Sequence, residues 1–98
     1  MLTVSKKELV DRIADNTDQK RVLVKRVIQM FLDEIIDEIG QGNRLEFRDF
    51  GVLETKARPA RMAQNPKTLE RVNVPPKRTV KFKVGRRMKL KLLDKYPV

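Results

Sequence analysis

The chain has 98 residues, with no cysteine and no histidine. That length fits one domain with a thin core, and the missing residue types exclude a disulfide framework, a zinc site built on His or Cys, and catalysis by either. Of its 23 bases and 13 acids, residues 1–43 hold seven and eight, whereas residues 44–98 hold 16 and five; one half is balanced and the other is an electrostatic footprint for a polyanion.

Ser5-Lys6-Lys7-Glu8 has capping-box spacing, and Leu9, Val10, Ile13 and Ala14 follow at helical intervals, predicting a short helix that ends near Asn16. Thr17 or Asp18 is placed to cap a second helix running to about Ile39, with Gly40 as its stop. That helix is apolar at Val22, Leu23, Val24, Val27, Ile28, Met30, Phe31, Leu32, Ile35, Ile36 and Ile39. A surface helix needs a stripe about 100° wide, and this sector is broader than one short helix and a small sheet will cover. The excess predicts an obligate dimer.

Gln41-Gly42-Asn43 reads as a loop. From Arg44 to Arg48 the apolar residues Leu45 and Phe47 alternate with charged ones, the period of a half-buried strand. Asp49-Phe50-Gly51 then forms a turn, and Val52 to Lys56 begins a second strand. A third is expected from Val72-Asn73-Val74 and Thr79 to Val84, broken at Pro75-Pro76. Between the strand signals, Ala57 to Arg71 is basic and lacks aromatics, with Asn65-Pro66 near its centre as a turn initiator. It reads as a protruding two-stranded arm whose edges are guarded by charge and by Pro59, Pro75 and Pro76. Arg86 to Leu93 completes the order α-α-β-β-arm-β-α as a basic amphipathic helix, an α+β chain.

Three phrases resemble the HU / integration host factor family of bacterial DNA-bending proteins: Arg44-Leu-Glu-Phe-Arg-Asp-Phe-Gly51, Arg58-Pro-Ala-Arg-Met-Ala-Gln-Asn-Pro-Lys-Thr68 and Val80-Lys-Phe-Lys-Val-Gly-Arg-Arg-Met-Lys89. Each alone is weak; their order and spacing make the resemblance specific, and it runs from about Ser5 to Leu92. It implies an intertwined dimer with a helical base (residues 1–43), a three-stranded antiparallel sheet per chain, a protruding ribbon arm at about 57–74 and a C-terminal helix at 86–94, within one domain spanning 1–98. The arms reach around the duplex, and a tip proline wedges between base steps in the minor groove; that geometry comes with the family, not from spacing.

By position, Pro66 is the wedge, and Arg58, Arg61, Gln64, Asn65, Lys67, Thr68 and Arg71 line the arm. Lys6, Arg78, Lys81, Lys83, Arg86 and Lys89 are the phosphate contacts, and Val27, Phe31, Phe47, Phe50 and Phe82 the dimer core. Three departures stand out. Ala63-Gln64 replaces the family's Gly-Arg, Leu69 replaces a glycine after Thr68, and Val84 stands where proline is common. If position 69 needs a positive φ, leucine is strained there.

The partners so implied are double-stranded DNA and a second chain, identical or paralogous, with no cofactor, metal, membrane or small-molecule substrate. The N-terminus lacks the apolar segment of a secretory signal, so the expected location is cytoplasmic and nucleoid-associated. An RNA-binding or ribosomal-type basic protein is the alternative, although single-strand readers present aromatic platforms and none lies in the basic half. A dimer that has lost DNA binding conflicts with the arm's charge. No acidic cluster or phosphate-binding glycine loop suggests an enzyme.

Overall fold

A computed structural model of the chain describes residues 1–95, so the last three residues of the expected domain lie outside the described ones. The elements are α1 (Lys6–Thr17), α2 (Arg21–Gly40), β1 (Leu45–Phe47), β2 (Gly51–Arg58), β3 (Arg61–Gln64), β4 (Arg71–Val74), β5 (Lys77–Val84) and α3 (Arg86–Lys95). This is an α+β chain, and it divides into two compact units, residues 1–37 and 38–98.

In the first unit, the Ser5 hydroxyl accepts from the Glu8 N–H at 3.3 Å and so starts α1 as its capping spacing predicts. The other end corrects an expectation. Asp18 does not open α2; it closes α1 in the left-handed region (φ 54, ψ 38), its N–H donating to the carbonyls of Ala14 and Asp15. A short polar side chain suits either role, and the intrahelical carbonyls decide it. The start of α2 is instead tied back by Arg21, whose guanidinium meets Asp11 at 3.1 Å and Asp15 at 3.4 Å.

Val10, Ala14 and Val24 are buried, with Ile28 packed against them, and they are the only buried apolar side chains among the described residues. The remaining broad face of α2 is open: Val27 is 57% exposed and Ile36 65%, with Val22, Leu23, Met30 and Phe31 also exposed. No helix among the described residues is long and apolar enough to cross a membrane.

In the second unit, α2 runs through Gly40, and the turn falls two residues beyond the expected stop. Gly42 takes φ 84 and donates to the Ile39 carbonyl at 2.9 Å, while the Asn43 N–H reaches the Glu38 carbonyl at 3.0 Å. Strands β1, β2 and β5 form one antiparallel sheet in that order. Gly51, expected within a turn, is the first residue of β2 and pairs with both Phe47 and Val84. The Phe82 ring lies over it so closely that a Cβ there would sit 2.4 Å from the ring and 2.7 Å from the Lys83 carbonyl oxygen. Phe50 meets Phe47 and Phe82 edge-on, with centroids at 6.2 and 5.6 Å.

The Asp49-Phe50 turn also anchors α3. The Gly85 N–H donates to the Phe50 carbonyl at 2.8 Å and the Arg87 N–H to the Asp49 carbonyl at 3.1 Å, satisfying donors that a helix start leaves open.

Beyond the sheet, β3 and β4 form a separate two-stranded ribbon. What the sequence suggests as one third strand is thus two, in two sheets. Pro59 interrupts one side and Pro75-Pro76 the other, and a residue without an N–H cannot extend a ladder.

Candidate nucleic-acid interface

Residues opposite one another in an antiparallel pair share a face, so register sorts the side chains of the sheet. Leu45, Phe47, Gly51, Leu53, Val80, Phe82 and Val84 fall on one face, together with Thr55, Ala57 and Arg78. Lys56, Arg58, Lys77, Lys81 and Lys83 fall on the other, with Val52, Thr79, Glu46 and Glu54. One side is apolar and the other is a cationic strip.

The sequence list therefore separates. Lys81, Lys83 and Arg58 lie together on the strip. Arg78 lies on the apolar face, where its guanidinium donates to the carbonyls of Ile39 and Gly40 at 3.3 and 3.1 Å. It caps the open end of α2. Lys56 and Lys77, which sequence reasoning passed over, belong to the strip. The signal that finds them is the same two-residue period that placed Leu45 and Phe47.

Within the strip, Glu54 accepts from both Arg44 and Lys83, each at 3.3 Å. Lys81 is its cross-strand partner in register. The patch carries one carboxylate among its cations at this point, and two of the cations are already engaged with it.

Where the prolines interrupt the ribbon, a concave pocket of ≈ 300 Å³ is lined by Arg58, Pro59, Arg61, Val74, Pro75 and Lys77. Three cations thus line one hollow. Farther out, β3 and β4 pair Arg61 with Val74, Met62 with Asn73, Ala63 with Val72, and Gln64 with Arg71. Arg61 and Arg71 consequently project from opposite faces of the ribbon.

The tip is closed by its own hydrogen bonds. The Asn65 N–H donates to the Glu70 carbonyl and the Leu69 N–H to the Asn65 carbonyl, both at 2.8 Å. The Asn65 side-chain oxygen accepts from the Lys67 N–H at 3.0 Å, the Thr68 hydroxyl from the Glu70 N–H at 3.4 Å, and Gln64 donates to the Leu69 carbonyl at 3.3 Å. These bonds assign Asn65, Thr68 and Gln64 a role in shaping the tip. Pro66 and Lys67 are left exposed at its end. Leu69 occupies the left-handed region at φ 61.

Arg86 and Lys89 are exposed on α3, one turn apart, and that helix has no acidic residue in its first turn. Cations at a helix N-terminus oppose its dipole, so their placement there serves an external anion better than it serves the helix. Lys6 belongs to the other unit. Its ammonium group donates to Gln29, which in turn donates to Asp33 at 2.9 Å. Of the expected dimer core, Val27 and Phe31 are on α2, while Phe47, Phe50 and Phe82 form the aromatic row beside the sheet. Among the described residues no group of three or more His, Cys, Asp or Glu side chains is placed to hold a metal ion.

Comparison with known proteins gives concordant matches. A family model described as "Bacterial DNA-binding protein" matches residues 4–92. The chain is 43% identical over 90 residues to the probable DNA-binding protein HU of Chlamydia trachomatis, covering 91% of this chain and 90% of that one. The corresponding protein of Chlamydia pneumoniae is 42% identical over the same coverage. Among solved structures, an Anabaena HU–DNA cocrystal structure superposes with a TM-score of 0.80 at 29% identity, covering 97% of this chain and all (100%) of the other. A mutant HU of Thermotoga maritima gives 0.67 at 25% identity, covering 91% and 99%.

Proposed function

The chain belongs to the bacterial DNA-binding protein family, and on that footing we propose that it is an architectural protein of double-stranded DNA that bends the duplex with its arms. The observation that carries this reading is the cationic strip of Lys56, Arg58, Lys77, Lys81 and Lys83, set on the sheet face opposite the aromatic residues and continuous in register with the arm. Each cation that neutralises a phosphate releases condensed ions, so binding weakens steeply with salt. The ribbon enters the minor groove, about 6 Å wide, where little base identity is displayed. Pro66, rigid and exposed at the tip, wedges between base steps; unstacking costs a few kcal/mol and is offset when the bent duplex meets more of the strip. Arg58, Arg61, Lys67 and Arg71 hold the backbone along the arm, and Arg86, Lys89 and Lys6 extend the contact.

The functional unit is a dimer with a second copy or a paralogous chain. Three buried apolar side chains among the described residues are too few to sustain a domain of this length, and the exposed face of α2 supplies the missing area. Phe31, Val27, Phe47, Phe50 and Phe82 are the residues we assign to that shared core. Such a protein acts on the nucleoid in the cytoplasm and performs no catalysis. Phe47 and Phe82 sit on the apolar face of the sheet, and no aromatic residue among the described ones lies on its basic face to serve as the stacking platform that single-stranded RNA readers use.

The test is affinity and bend angle on random, nicked and A-tract duplexes at two salt concentrations, with structured RNA as competitor. Tight, strongly salt-dependent binding with bending is expected. A duplex left straight at low salt, or displaced by structured RNA at equal concentration, overturns the reading. Pro66→Ala is expected to reduce the bend more than the affinity, as read by single-pair fluorescence.

A further inference from the structure

The arm tip carries an anomaly that its turn chemistry does not need. Leu69 sits at φ 61, a region that glycine enters freely and asparagine tolerates, but that a side chain with a Cβ disfavours. Its backbone is pinned there on both sides: the N–H donates to the Asn65 carbonyl at 2.8 Å and the carbonyl accepts from Gln64 at 3.3 Å. Strain of this kind persists when the surroundings repay it, typically through packing. Here hydrogen bonds hold the backbone but packing repays nothing, because Leu69 is 69% exposed. In the free protein the residue is unfavourable twice, once through its backbone and once through its bare side chain.

We propose that Leu69 is a second apolar contact with duplex DNA, covered by the minor-groove wall or an opened base step when the neighbouring Pro66 enters. The inference rests on the DNA-binding reading above and deepens it. Charge selects the occupant. Along residues 57–74 the arm carries Arg58, Arg61, Lys67 and Arg71 against the single carboxylate of Glu70, so a second arm is repelled and a polyanion is drawn in. The closing bond between the Asn65 N–H and the Glu70 carbonyl keeps Pro66 and Leu69 within one small loop, so whatever surface receives the proline is next to the leucine. Sugar C–H groups and exposed base edges are apolar enough to bury it. The strain fixes the side chain's base before contact, which lowers the ordering cost of binding.

The experiment uses the full chain with Leu69→Gly, which removes strain and side chain together, Leu69→Asn, which tolerates the same φ but is polar, and Leu69→Met, which keeps an apolar side chain. On a nicked duplex the Gly and Asn variants are expected to bind about tenfold more weakly, the effect of losing part of one buried leucine, with smaller bend angles. Their thermal midpoints should equal or exceed the parent's, and Met should restore most of the binding. The slope of affinity against salt should not move, because no charge is altered. Gly and Asn variants that bind and bend as the parent does overturn the proposal, as does a changed salt slope. If the parent itself ignores duplex DNA, the function reading fails instead.

Discussion

The sheet and the arm are built from the same two stretches of chain, yet they are held in different ways. From Gly51 to Arg58, β2 pairs with β5 through eight consecutive residues, and one face of that ladder carries Leu53, Val80, Phe82 and Val84. The arm has four pairs, no aromatic contact among the described residues, and a break from the sheet at Pro59 and Pro75-Pro76. The sheet is a longer ladder, backed at one end by edge-on contacts of Phe50 with Phe47 and Phe82, and it displays its cations on the other face. The arm is a set of backbone and turn hydrogen bonds with nothing beneath it, the composition of a segment that opens locally at little cost. Rigidity is therefore concentrated where the protein must hold shape, and compliance where it must fit a groove.

Three substitutions test that contrast. The largest effect is expected for Gly51→Ala, whose Cβ would overlap the Phe82 ring and the Lys83 carbonyl oxygen. It should destabilise the whole unit by about 3 kcal/mol, as overpacking does, seen as a lower thermal midpoint at fixed protein concentration. Arg78→Ala is intermediate: losing the bonds to Ile39 and Gly40 should cost about 1 kcal/mol, with duplex affinity changed less than by Lys81→Ala. The smallest is Asn65→Ala. Removing the side-chain acceptor for the Lys67 N–H should speed hydrogen exchange at that amide while shifting global stability by less than about 0.5 kcal/mol. An arm substitution that lowers the midpoint as much as Gly51→Ala would show that arm and sheet unfold as one.

Much of this was legible in the amino-acid order. Alternation placed Leu45 and Phe47 inward, the capping pair Ser5 and Glu8 began α1, and three spaced phrases pointed to the family to which the chain belongs. What stayed hidden depends on partners distant in sequence. Asp18 reads equally as an opening or a closing residue until the carbonyls of Ala14 and Asp15 claim its N–H. Arg78 looks like any other base in a basic strand, and only the end of α2, 39 residues earlier, reveals its employment. Lys56 and Lys77 were readable but missed, because charge was counted without following its phase along the strand. At Leu69 the order of residues posed the question and the backbone answered it with φ 61.

The pairing of Glu54 with Arg44 and Lys83 has a consequence for how the charge of this protein should be weighed. A carboxylate fixed in the chain cannot diffuse into bulk solvent when a phosphate takes its place, so that exchange gains no entropy of dilution. Those two cations then add to attraction without adding their full share to ionic-strength sensitivity. A tally of lysines and arginines on the strip overstates how far dilution of the buffer tightens the complex, by up to the share of the one positive charge that Glu54 already offsets between the two.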